Sequence, residues 1–308
     1  MSNFVNDFEY KKDKHWSETQ KETAVFSSGF EIKNRKKAPK IIVHLGPHKT
    51  GTTSFQNILE ANERELNNNN INLITVRSSF SLEYKRLRNK YTIILQGALI
   101  SDSLENELVI DKLSSVLKEM VACTSTKETE LVLLADENLL GPPTGHYFAG
   151  RKGRELGYYS LHKLVFRSIK MAFGDQLEKI IITDRGFSGF LPSSYKDFIS
   201  KLTDVKTFDE FKLELNERVK EEYKGFFYNA EIAFGGKLKV YNFDVFCRTM
   251  PEEAFNITKV AMDEEINKKI KSNASISERG IEIALKVIPL LESQSEKNHF
   301  RRFLMSLK

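Results

Sequence analysis

Cysteine is almost missing from this chain of 308 residues: Cys123 and Cys247 are the two it has, far apart and without CxxC spacing. That count leaves no disulfide framework and no paired-cysteine motif, and two reduced thiols fit a cytoplasmic setting. No apolar run approaches the ~18–20 residues of a membrane helix. The opening MSNFVNDFEYKKDK lacks an apolar h-region, so neither a transmembrane segment nor a secretory signal is expected. Charge of one sign is also scarce, with a net charge of +5. Residues 1–40 hold nine Lys/Arg against six Asp/Glu, which puts +3 there and leaves +2 for the rest. A nearly neutral body argues against a nucleic-acid protein built on electrostatics, while allowing a local anion site. Hydrophobic content of 40% and charged content of 29% are those of an ordinary globular protein.

Residues 1–38 are polar and lack a sustained apolar period. They read as an N-terminal arm, either loose or packed on the body through Trp16, Phe26 and Phe30. No linker interrupts 39–308, so a single α/β domain with a helical C-terminal part is expected there. Short apolar, β-branched runs predict strands at Lys40–Leu45, Ile71–Val76, Glu130–Ala135, Glu178–Thr183 and Leu238–Tyr241. Helices are expected over Thr52–Leu66, within 80–122, and over Tyr159–Phe173, Ser193–Leu202 and Phe208–Tyr223. A last one, Ser277–Leu291, starts at a Ser277 cap. Strands alternating with helices predict a central, mostly parallel sheet covered on both faces. Ligands of such sheets sit at the carboxyl ends of the strands, where His44–Thr53, Asp136–Asn138 and Arg185 all fall.

The stretch HLGPHKTGTTSFQ (44–56) has the outline of a phosphate-binding loop with its lysine displaced. A Walker A loop reads GxxxxGK[ST]. Here Gly46 and Gly51 keep the four-residue gap, but Thr52 follows Gly51 and the lysine is Lys49. A strand, a glycine turn and a helix start leave backbone N–H groups aimed at one spot, and with the helix dipole they form an anion cradle. Thr52 and Thr53 add hydroxyl donors. In a kinase or NTPase the lysine behind the second glycine reaches the β- and γ-phosphates and Ser/Thr holds magnesium. A lysine ahead of that glycine lies nearer the atom bridging a single phosphate to its leaving partner.

Pro47-His48-Lys49-Thr50-Gly51-Thr52-Thr53 resembles the 5′-phosphosulfate-binding loop of sulfotransferases that use 3′-phosphoadenosine-5′-phosphosulfate (PAPS). The form His-Lys-Thr-Gly-Thr-Thr-Ser-x-Gln is similar to that of many bacterial members. The family carries a second element, an arginine at the end of a later strand and a serine eight residues on, which hold the 3′-phosphate. KIIITDRGFSGFLPSSY (179–195) resembles it: Arg185 follows the strand, Ser193 stands eight positions on, and Tyr195 comes two later. Gly186, Gly189 and Pro192 disfavour a prompt helix, which leaves Ser194 and Ser188 as alternatives for the serine. A third element, LVLLADEN (131–138), is similar to a strand that in these enzymes ends with an acid facing the acceptor hydroxyl. The same strand also resembles a Walker B strand.

The resemblance implies a P-loop NTPase-like three-layer fold and transfer of a sulfuryl group from PAPS to a hydroxyl of a glycan or small metabolite, without a metal. It implies that Lys49 neutralises the leaving oxygen while Thr50, Gly51, Thr52 and Thr53 hold the 5′-phosphate, and that Arg185 and Ser193 hold the 3′-phosphate. Proton removal needs a base within ~3 Å of the acceptor oxygen. Glu137 is the first candidate, His48 the second and His146 a weaker one, while His44, inside the strand end, reads as a satisfied core histidine. The basic run Arg151-Lys-Gly-Arg154 offers a contact for a phosphate or an anionic acceptor. Two other readings are a P-loop kinase or NTPase holding magnesium through Asp136 or Glu137, and an idle nucleotide-binding protein that keeps the fold.

Overall fold

The computed structural model describes residues 38–76, 82–101, 106–146, 155, 157–200, 206–215, 219–263 and 277–306. Trp16, Phe26 and Phe30 of the expected arm, and the run Arg151–Arg154, lie outside them. Among the described residues five strands pair in the order β2-β3-β1-β4-β5. They are β1 (Lys40–His44), β2 (Ile71–Thr75), β3 (Leu131–Ala135), β4 (Leu177–Asp184) and β5 (Leu238–Asn242). Every pair is parallel, so the sheet is fully parallel where a mostly parallel one is expected. Helices lie in each connection, as parallel neighbours require.

Side chains alternate across a strand, and the two faces feed two cores. Ile41 and Val43 of β1, Val132 and Leu134 of β3, and Ile180 and Ile182 of β4 enter one of them. That face is covered by α3 (Leu82–Ile100), α4 (Glu107–Ala122), α5 (His162–Phe173) and α8 (Val219–Phe234). Ile42, Leu133, Ala135 and Ile181 point the other way, against α1 (Thr52–Ala61) and α9 (Phe243–Thr258). A third cluster joins α6 (Phe187–Ser200), α7 (Phe208–Glu214), α10 (Glu278–Val287) and α11 (Gln294–Ser306) through Phe198, Phe211, Ala284 and Leu304. No helix among the described residues is long and apolar enough to cross a membrane.

Side-chain capping explains several element starts. Asn106 accepts from the Leu108 N–H at 2.9 Å to open α4, and Ser277 accepts from Gly280 at 3.1 Å to open α10 as expected. Four helices differ from expectation. The one expected over Phe208–Tyr223 is divided: α7 ends at Glu214, where Leu215 is extended, and α8 opens at Val219 and runs on to Phe234. Thr52–Leu66 is interrupted at Asn62, whose Nδ2 donates to the Ile58 carbonyl at 2.7 Å; α2 (Glu63–Asn68) then restarts the chain. Asparagine competes for backbone groups in this way. The helix expected from Tyr159 begins at His162, because Tyr159 sits at φ +49° in the left-handed region.

The largest difference is α6, which starts at Phe187, ahead of the Ser193 start expected. Gly186 takes φ +72° and its N–H donates to the Asp184 carboxylate at 2.8 Å, turning strand into helix at once. Gly189 and Pro192 are carried inside the helix because Phe190, Tyr195 and Phe198 are buried. Packing of an apolar face outweighs their poor intrinsic propensity.

Phe55 ties β1 to the helices below it: it is wholly buried, with its ring 5.0 Å from His44 and 5.1 Å from Phe246. Phe55→Ala is expected to lower the unfolding free energy by about 3–5 kcal/mol in urea denaturation.

Candidate active site

Because the strands run the same way, the ends of β1, β3, β4 and β5 open on one edge of the sheet. The turn behind β1 is held by its own side chains. Thr50 Oγ1 donates to the Pro47 carbonyl at 2.5 Å, and Thr52 Oγ1 lies 3.3 Å from the carbonyls of both Gly46 and Pro47. Those two hydroxyls therefore face into the loop, while Thr53 is half-buried at its rim. Lys49 and Gly51 sit at φ +69° and +80°. A Cβ on Gly51 would come within 2.7 Å of Met250 Cε, so glycine is needed where α9 presses on the loop. Helix α1 starts immediately afterwards with no side-chain cap and no acid in its first turn. Its leading N–H groups remain available to a ligand.

Arg185 joins this loop to the other sequence element. Its Nη1 donates to the Lys49 carbonyl at 2.6 Å and to Ser193 Oγ at 3.0 Å. Its guanidinium carbon lies 4.3 Å from the centroid of the Phe243 ring, at the end of β5. Burial lowers its pKa, partly offset by Cys247 and Asp244. The serine alternatives are placed elsewhere: Ser194 is buried and donates to the Thr144 carbonyl at 2.9 Å, and Ser188 lies in the first turn of α6. Tyr195 packs on Phe208 and Phe211, and its hydroxyl donates to the Lys206 carbonyl at 2.8 Å. The Lys49 ammonium is paired with Asp197 of α6, Nζ to Oδ1 2.7 Å.

At the end of β3 the two acids have different surroundings. Asp136 is wholly buried; it pairs with Arg88 of α3 at 2.7 Å and accepts from the N–H and Nδ2 of Asn138 at 2.9 Å each. Glu137 is half-buried, and Gln56 Nε2 donates to its Oε2 at 2.6 Å and to the Ala135 carbonyl at 2.9 Å. His48 stands nearby. Its backbone N–H donates to the Tyr159 hydroxyl at 2.7 Å, and its Nδ1 lies 3.0 Å from the same oxygen. Burial lowers the His48 pKa, against the opposing pull of Glu137, Asp197 and the Asn138 side chain. Burial also pushes the Tyr159 phenol up, so it stays protonated and can donate to Nδ1.

Lys49, Thr50, Gly51, Thr52, Thr53, Arg185 and Ser193 thus meet at one edge, with Glu137 and His48 beside them. Arg88, Tyr159, Asp197 and Phe243 belong to the same neighbourhood and are not recognised from sequence. Gln56 closes the loop motif, but nothing local shows that it holds Glu137. Asp197 falls four residues after Ser193, a spacing that shares a face within the helix expected from Ser193, but nothing local shows that it meets Lys49. His146 comes near through Asp197, Nε2 to Oδ2 3.6 Å.

His44 ends β1 beneath the loop, fully buried between Phe55 and Phe246. It is a core histidine as expected but not a satisfied one: with aromatic rings on either side, neither ring nitrogen has a hydrogen-bond partner among the described residues. Burial lowers its pKa from 6.5 to about 3.

No family model matches the chain, and a search of curated proteins returns no match.

The His44 shift predicts acid sensitivity. Below 6.5 the unfolded chain binds a proton there that the native state refuses until about 3, so stability falls as pH falls through that window. His44→Leu should remove up to about 1.4 kcal/mol per pH unit of that slope. The comparison is made by denaturant unfolding of both proteins between those pH limits.

Proposed function

We propose that this chain transfers a sulfuryl group from PAPS to a hydroxyl of a small-molecule or glycan acceptor, on a P-loop-type α/β fold. One observation carries the reading. The Arg185 guanidinium bonds the Lys49 carbonyl and the Ser193 hydroxyl together, so the two elements that the resemblance pairs in sequence meet in space. The surroundings fit an anionic nucleotide. The uncapped, acid-free start of α1 suits a 5′-phosphate, and a guanidinium beside a serine hydroxyl suits a 3′-phosphate.

The chemistry is a displacement at sulfur. A bond from the acceptor oxygen to sulfur forms as the bond from sulfur to the bridging oxygen breaks. The electron pair stays on the phosphate oxygen of adenosine 3′,5′-bisphosphate, and the acceptor proton passes to a base. Catalysis of this type rests on positioning and on charge stabilisation in a loose transition state. Lys49 neutralises the leaving oxygen. Glu137 is the stronger choice for the base: Gln56 orients one of its carboxylate oxygens. His48 is less suited, being engaged by Tyr159 and Asn138, and acts as a positioning residue for the loop. The kinase reading fares worse, because Asp136 is already committed to Arg88 and Asn138 and Thr52 faces the loop carbonyls.

Thermal unfolding with ligands tests this directly. Adenosine 3′,5′-bisphosphate should raise Tm without metal; stabilisation by ATP only with magnesium would overturn the proposal in favour of a kinase. In a sulfuryl-transfer assay Lys49→Ala should lose about 10²–10³ in kcat, and full turnover by that variant would remove its assigned role. Arg185→Ala should raise the KM for PAPS more than it lowers kcat.

A further inference from the structure

Helix α6 grips Lys49 at both ends. Ser193 and Asp197 lie four residues apart and project from the same side of the helix. Ser193 reaches the Lys49 backbone through Arg185, whereas Asp197 takes the ammonium itself, Oδ1 to Nζ 2.7 Å. The side chains are 13% and 31% exposed, for Asp197 and Lys49 respectively, so solvent and salt screen this pair less than one on an open surface. Asp197 has a second neighbour. Its other oxygen faces His146 at 3.6 Å. The His146 ring stands edge-on to Phe198, and its carbonyl accepts from the Glu155 N–H at 2.9 Å.

We propose that Asp197 is a competitor built into the site: it yields Lys49 to the bound nucleotide and takes it back afterwards, setting how fast adenosine 3′,5′-bisphosphate leaves. The inference rests on the PAPS reading above and adds a residue and a step to it. An ammonium 2.7 Å from a carboxylate already has part of its charge neutralised, so turning wholly to the nucleotide's 5′ oxygens means giving up that contact. When it moves, the Asp197 carboxylate is left facing an incoming anion, and like charges at close range repel. Both effects weaken nucleotide binding, and both favour return of the ammonium once the sulfuryl group has gone. His146 stays beside Asp197 as its neighbour while Lys49 is away.

The test is calorimetric binding of adenosine 3′,5′-bisphosphate to wild-type and Asp197→Asn proteins, followed by steady-state kinetics. Loss of the carboxylate should tighten binding about three- to tenfold. It should lower the KM for PAPS and lower kcat, as release of the bisphosphate slows. A purely structural role would loosen binding instead. Unchanged or weaker binding in Asp197→Asn, with the wild type binding normally, overturns this inference alone. A wild type that binds no bisphosphate overturns the PAPS reading and this inference with it. Should the variant fail to fold, a crystal structure of the wild-type complex decides. Separation of Nζ and Oδ1 beyond about 4 Å, the reach of an ion pair, supports the exchange, and an intact pair refutes it.

Discussion

A guanidinium wedged between two chain segments organises this end of the molecule. Arg185 bonds the Lys49 carbonyl and the Ser193 hydroxyl and rests on the Phe243 ring, so one side chain ties the ends of β1, β4 and β5 to α6. The bonds to Lys49 matter most because that residue holds a left-handed φ of +69°, a conformation that non-glycine residues seldom adopt without support. With its carbonyl held by Arg185 and its ammonium by Asp197, Lys49 is presented at the mouth of α1. The loop hydroxyls then complete the turn from inside, and α9 closes it from below through Met250.

The opposite wall of the site is built on a different plan. A line of polar contacts runs from Arg88 through Asp136 and Asn138 to His48 and Tyr159. Asp136 has no exposure to solvent, so its charge is tolerated because Arg88 and Asn138 satisfy it. Glu137, one residue on, faces outward with Gln56 as its hydrogen-bond donor. Neighbouring carboxylates on one strand end thereby acquire separate surroundings. One is enclosed by its partners, and the other is half-buried with Gln56 on one oxygen.

Much of this was legible in the chain. Apolar β-branched runs marked all five strands to within two residues at either end, since a strand buried on both faces has little room for polar residues. The glycine spacing marked the loop, and the resemblance paired Arg185 with Ser193, which are hydrogen-bonded to each other. The start of α6 was misplaced because local propensity penalises Gly189 and Pro192, whereas the burial of Phe190 and Phe198 is a property of the whole fold. Arg88 and Tyr159 escaped for the same reason. Each reaches the site from a distant part of the chain, and no local pattern records that approach.

The place of β1 in the sheet has a consequence for biosynthesis. Among the described residues it is the first strand in chain order, yet it lies in the middle, between β3 and β4. Its first partner is Leu131–Ala135 and its second Leu177–Asp184, so roughly ninety residues follow it before either flank can be covered. During that interval the nascent chain carries an apolar segment with both backbone edges open, the kind of surface that invites pairing with other chains. Growth of this polypeptide therefore includes an interval in which Ile41, Ile42 and Val43 lack the strands that flank them in the sheet.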